Sequence, residues 1–177
     1  MGDQVARLAA GRVSCENMEP METAGDKKEP PKDDAVAIRL AALLASLSQR
    51  LGESIAIGHE AIPGTTVEAT RIHPRNPQSC SMGWLEMGGS EVIFEVGRGG
   101  GWEMTRTEES ITKIERLALA VVDGKVSEVS APGRCATTVI LDDGSNERTK
   151  VAGAPRGCLP MPGSTLRGKR VRYAPYA

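Results

Sequence analysis

Ser90-Glu91-Val92-Ile93-Phe94-Glu95-Val96-Gly97-Arg98-Gly99-Gly100-Gly101-Trp102-Glu103-Met104-Thr105-Arg106-Thr107-Glu108-Glu109 changes its hydrophobic period twice, and the fold class follows from where it changes. Val92, Phe94 and Val96 fall on one side of an extended chain, with Glu91, Ile93 and Glu95 on the other. The pattern is that of a strand with one buried face. Gly97 to Gly101 turn the chain, and Trp102 and Met104 resume the alternation over residues 102–106. The period then lengthens to that of a helix. Thr107 suits an N-cap, and Glu108 and Glu109 place negative charge on the first turn, where the helix dipole favours it. Thr105 and Glu108 also have capping-box spacing, which leaves the start open by about two residues.

Working downstream, Ile111, Ile114, Leu117, Ala118, Val121 and Val122 draw one apolar stripe, so a helix over 107–123 is expected to pack on a sheet. Glu109 stands one turn before Lys113, a spacing that suits an ion pair. Gly124 is the expected left-handed cap. Lys125 to Ser130 and Arg134 to Leu141 read as strands joined through Pro132-Gly133, a type II turn pair. Asp142-Asp143-Gly144-Ser145 then leads by a hairpin into Glu147 to Val151.

Upstream, residues 82–96 form a hairpin about Gly88-Gly89. Ser54 to Ile57 and Val67 to Ile72 have the composition of short strands. Asp33 or Asp34 caps a helix over about 34–51, with stripe Val36, Leu40, Leu43, Leu44, Leu47 and Leu51 and Gly52 as its stop. Residues 1–32 lack sustained period and read as a disordered or loosely attached tail, leaving 33–177 as one domain. Residues 152–166 read as an irregular connection, and Arg167 to Tyr173 as a last, charged edge strand. Strands gathered in runs give an α+β class: an antiparallel sheet of about five to seven strands carrying one amphipathic helix, plus the N-terminal helix.

With 177 residues, 40% hydrophobic, the chain is long enough for a real core, yet it has only two Trp, two Tyr and one Phe. So few rings weigh against binding that stacks bases on aromatics. Charge is polarised. Residues 1–34 hold five basic and eight acidic groups, residues 35–147 ten and fifteen, and residues 148–177 seven basic and none acidic. That last segment either covers the acidic body or docks an anionic partner. Its Arg167, Lys169, Arg170 and Arg172, with Arg98 at the glycine turn, are the expected partner-binding residues. Arg39 and Ser46 interrupt the most apolar run, Ala35 to Leu47, so no membrane span is expected. No secretory h-region follows Met1, and a cytoplasmic location is the default expectation.

Catalytic signatures are sparse. Cys15, Cys80, Cys135 and Cys158 are dispersed, never spaced as Cys-x-x-Cys, and read as free thiols; with only His59 and His73 beside them, neither a metal nor a cofactor is expected. The glycine turn lacks the third glycine and following helix of a dinucleotide site, and the Gly-Lys-Ser/Thr of a phosphate loop. His73, between Ile72 and Pro74, and Cys80, between two serines, are the candidates for acid/base or nucleophilic work. Glu91, Glu95 and Glu103 are expected to line one face of neighbouring strands, either as carboxylates that raise each other's pKa or, by preference, as the simple wet face of a one-sided sheet.

In scale and general character the chain resembles the small α+β immunity or accessory proteins that bacteria pair with a larger partner. The resemblance implies a non-catalytic protein-binding module with another protein as partner. Two alternatives stand beside it: a small hydrolase or transferase using His73 or Cys80, and nucleic-acid binding through the basic C-terminal strand, which the acidic body disfavours.

Overall fold

The computed structural model describes residues 34–131, 134–151 and 168–176. The expected tail, the connection at 152–166, the Pro132-Gly133 turn centre, Arg167, Cys15 and Cys158 lie outside the described residues. The class is α+β, with two helices and two antiparallel sheets of five and four strands.

Helix α1 (Ala35–Leu51) starts at Asp34, whose Oδ1 accepts from the Val36 and Ala37 amides at 3.1 Å. Gly52 ends it at φ +49°, donating its N–H to the Ser48 carbonyl, a conformation that glycine adopts without steric cost. By length and hydropathy, Ala35–Ser54 does qualify as long and apolar enough to cross a membrane, which corrects the expectation that no segment would. Here Val36, Leu40, Leu43 and Leu47 sit in the protein core.

Five strands follow as an antiparallel meander in chain order: β1 (Ile55–Ala61), β2 (Val67–Pro74), β3 (Met82–Met87), β4 (Glu91–Val96) and β5 (Gly100–Thr105). The short strands expected near 54–57 and 67–72 are a full hairpin, because β2 has a partner on each side. The register aligns Ile72 with Met82, Met82 with Val96, Trp84 with Phe94, and Phe94 with Trp102. These side chains share the inner face, all in the core.

Helix α2 (Glu108–Val122) begins at Thr107, whose hydroxyl accepts from the Ser110 amide, so Thr107 and not Thr105 is the cap. Ile111, Ile114, Leu117, Ala118 and Val121 are all 0% exposed. Gly124 follows at φ +71°, close against Ala174 and Pro175. The strands flanking α2 belong to different sheets. The second comprises β6 (Val126–Ala131), β7 (Arg134–Ile140), β8 (Asn146–Val151) and β9 (Lys169–Arg172), in the order β8-β7-β6-β9.

The polar side of α2 is clasped by ion pairs. Arg39 of α1 reaches Glu115 at 2.6 Å, Lys113 reaches Glu147 of β8 at 2.9 Å, and Arg116 pairs with Asp143 in the β7–β8 turn. Lys113 therefore takes a tertiary partner in place of the expected Glu109. Arg106 joins Asp34, the α1 cap, to Glu86 of β3, its own side chain only 12% exposed. The guanidinium hydrogen bond, opposed by partial burial, holds the Asp34 carboxyl below its ordinary 3.8.

Candidate functional site

The second sheet turns two unlike faces outward and inward, and its register fixes the residues on each. Val126, Glu128, Thr137 and Val139 are buried on the inner face. On the outer face, one row runs Arg148, Thr138, Ser127, Arg172 across β8, β7, β6 and β9, and the next runs Lys150, Ala136, Val129, Arg170. Each row has a cation at either end and small uncharged side chains between. Three strand spacings separate the ends, about 14 Å. All four cations are exposed, and Ile140, 46% exposed, adds an apolar knob at one end of the same face.

These cations differ from most of the others in the fold. Arg39, Arg50, Arg71, Arg106, Lys113, Arg116 and Lys125 each pair with a carboxylate within 4 Å. Among the described residues, Arg148, Lys150, Arg170 and Arg172 pair with none.

What holds the short β9 in place lies beneath it. Glu128, 2% exposed, accepts hydrogen bonds from the Arg98 amide (2.9 Å), the Thr137 hydroxyl (3.3 Å) and the Tyr173 hydroxyl, the last just beyond β9. Burial of a carboxyl group demands such donors. Burial foremost, and the Glu128 hydrogen bond next, push the Tyr173 phenol well above its ordinary value.

The glycine turn between β4 and β5 is explained by the same contact. Gly97 lies at φ +63°, and a β-carbon there would collide with the Glu128 carboxylate; one at Gly99 or Gly100 would come within about 3 Å of Cys135 or Thr137. The glycines let this turn press against the second sheet, which is a packing role.

The expected site residues are dispersed. Arg170 and Arg172 join the basic outer face, while Lys169 aligns with Ser130 on the opposite face, and Arg167 lies outside the described residues. Arg98 sits exposed at the glycine turn. His73 is exposed on the outer face of β2, opposite Ala56. Cys80 is fully buried, its thiol pushed up to about 12 by burial and, secondarily, by the charge of Glu128. A thiol so placed keeps its proton at neutral pH. Glu91, Glu95 and Glu103 do share one face, where Glu95 pairs with Arg71 at 3.0 Å. Among the described residues, no group of three His, Cys, Asp or Glu is placed to hold a metal ion. Sequence reading missed Arg148 and Lys150 as site residues, although their place beside an Asp-Gly turn two residues apart was a usable signal. Comparison with known protein families, curated proteins and solved structures finds no match.

Proposed function

We propose that the protein is a non-catalytic protein-binding module whose docking surface is the basic outer face of the second sheet, and that it recognises an acidic protein surface. The observation that carries this reading is the clustering on one face of four cations that, among the described residues, pair with no carboxylate. Arg148, Lys150, Arg170 and Arg172 stand on one face and, among the described residues, in no ion pair, while Arg39, Arg50, Arg71, Arg106, Lys113, Arg116 and Lys125 are used in internal ion pairs. Two rows of cations about a floor of Thr138, Ser127, Ala136 and Val129 offer a partner both charge and a smooth surface. Such complementarity sets orientation and association rate more than it sets affinity. The same face among the described residues carries no aromatic side chain on which an unpaired base could stack, so the protein reading is favoured over binding of single-stranded nucleic acid.

The test measures binding of a polyglutamate peptide and of duplex DNA of equal charge at low ionic strength. The wild type is expected to prefer the peptide. The double substitution Arg170→Glu, Arg172→Glu is expected to weaken peptide binding by about tenfold or more, as two lost charge contacts imply. Preference for the duplex, or undiminished peptide binding by the variant, refutes the reading.

A further inference from the structure

The five-stranded sheet also has an outer face, and both helices pack on the other side of it. The register places Glu60, Ala69, Leu85, Ile93 and Glu103 in one row across all five strands. The adjoining row carries Val67, Met87 and Glu91. Leu85, Met87, Ile93 and Val67 are half-buried, whereas Glu60, Glu91 and Glu103 are exposed and, among the described residues, in no ion pair. This is an apolar strip with carboxylates at its ends and side. The next row, Gly58, Arg71, Gly83, Glu95 and Gly101, is low, its one ion pair lying over glycine.

We infer that this acidic face docks onto the basic face of a second copy of the chain. The inference rests on the reading of the basic face as a protein-docking surface, and names its partner. The two faces are opposite in charge and reciprocal in relief. One is a strip of Leu, Met, Ile and Val side chains flanked by unpaired carboxylates. The other is a floor of Ala136, Val129, Ser127 and Thr138 flanked by cations that pair with no carboxylate among the described residues. Bulky side chains over small ones is the relief that lets sheets pack about 10 Å apart. The acidic row spans four strand spacings, about 19 Å, and the basic row about 14 Å; the long stems of lysine and arginine cover the difference. Because each copy presents one face of each kind, the contact is head to tail and each docked copy leaves a free face at either end.

The experiment is sedimentation velocity on the full chain and two folded variants. Glu91→Lys with Glu103→Lys disables the acidic face, and Arg170→Glu with Arg172→Glu the basic one; all four positions are exposed, so melting temperatures should stay close to wild type. The wild type is expected to sediment faster as concentration rises, and to revert toward monomer in high salt. Each variant alone is expected to remain monomeric. An equal mixture of the two is expected to associate, because the intact faces attract each other and the two charge-reversed faces are again complementary. A wild type monomeric at every soluble concentration overturns the inference, as does self-association of either variant or a mixture that stays monomeric. If the inference fails in this way while polyglutamate binding still depends on Arg170 and Arg172, the docking reading survives without the self-partner.

Discussion

Glu128 shows how a single buried residue can govern a surface it does not touch. Cys80 and Tyr173 beside it, and Tyr176 beside Cys80, all hold their protons more firmly than usual, chiefly because burial disfavours their charged forms. The ordinary values are 9.0 for Cys and 10.0 for Tyr. Above pH 9 the unfolded chain therefore binds fewer protons than the folded one, and stability falls as pH rises; below that the full contribution is present. The expected loss is up to about 1.4 kcal/mol per pH unit for Cys80 and for Tyr176, and less for the partly exposed Tyr173, whose charge solvent screens. Urea unfolding followed from neutral to strongly alkaline pH checks it, and Tyr176→Phe should make the decline shallower; an unchanged slope in that variant assigns the effect elsewhere. None of this was legible in the sequence, where Glu128 is one acid in an alternating strand and its three donors come from residues 98, 137 and 173.

At the scale of elements the sequence was a better guide. Residues of one helix or strand interact with near neighbours, so Thr107, the Ile111 to Val122 stripe, Gly52 and Gly124 could be assigned from spacing alone. Helix α2 tests that assignment. Ile114→Asp places a charge without a partner in the core and is expected to cost about 3–5 kcal/mol or prevent folding. Glu115→Ala removes only a partly exposed pair with Arg39 and should cost about 1 kcal/mol or less. Thermal melts of the two variants decide it, since equal midpoints would contradict the helix orientation. What spacing could not supply was the partition into two sheets, because strand order is set by side chains meeting across long sequence distances. The same limit hid the basic face. Strand alternation puts Arg170 and Arg172 on the face opposite Lys169, but only pairing through β6 and β7 aligns them with Arg148 and Lys150.

For the whole molecule, the C-terminal residues act as a strap. The Ala174 amide donates to the Gln78 carbonyl at 2.9 Å, the Ser79 hydroxyl to the Pro175 carbonyl at 2.7 Å, and the Tyr176 amide to the Val122 carbonyl at 3.0 Å. The Tyr176 side chain is buried, with its hydroxyl on the Cys80 carbonyl. The strap thus ties the β2–β3 connection and the end of α2 to the strand that closes the second sheet. Deleting residues 174–177 is expected to cost about 3–5 kcal/mol, the range for losing a large buried aromatic. Trp84 and Trp102 both lie in the first sheet, so tryptophan fluorescence should report the loss at the same urea concentration as far-ultraviolet circular dichroism. Two separate transitions would show that the strap stabilises the second sheet alone.

The two sheets also differ in the distances their chains must close. The five-stranded meander is built from consecutive hairpins, each a short loop that forms rapidly, whereas β9 must find β6 across some forty intervening residues. In kinetic terms β9 is the late arrival. Arg170 and Arg172 travel with it. The fourfold arrangement of positive charge therefore exists only once the last strand has seated, so chains that have not completed the second sheet lack half of it.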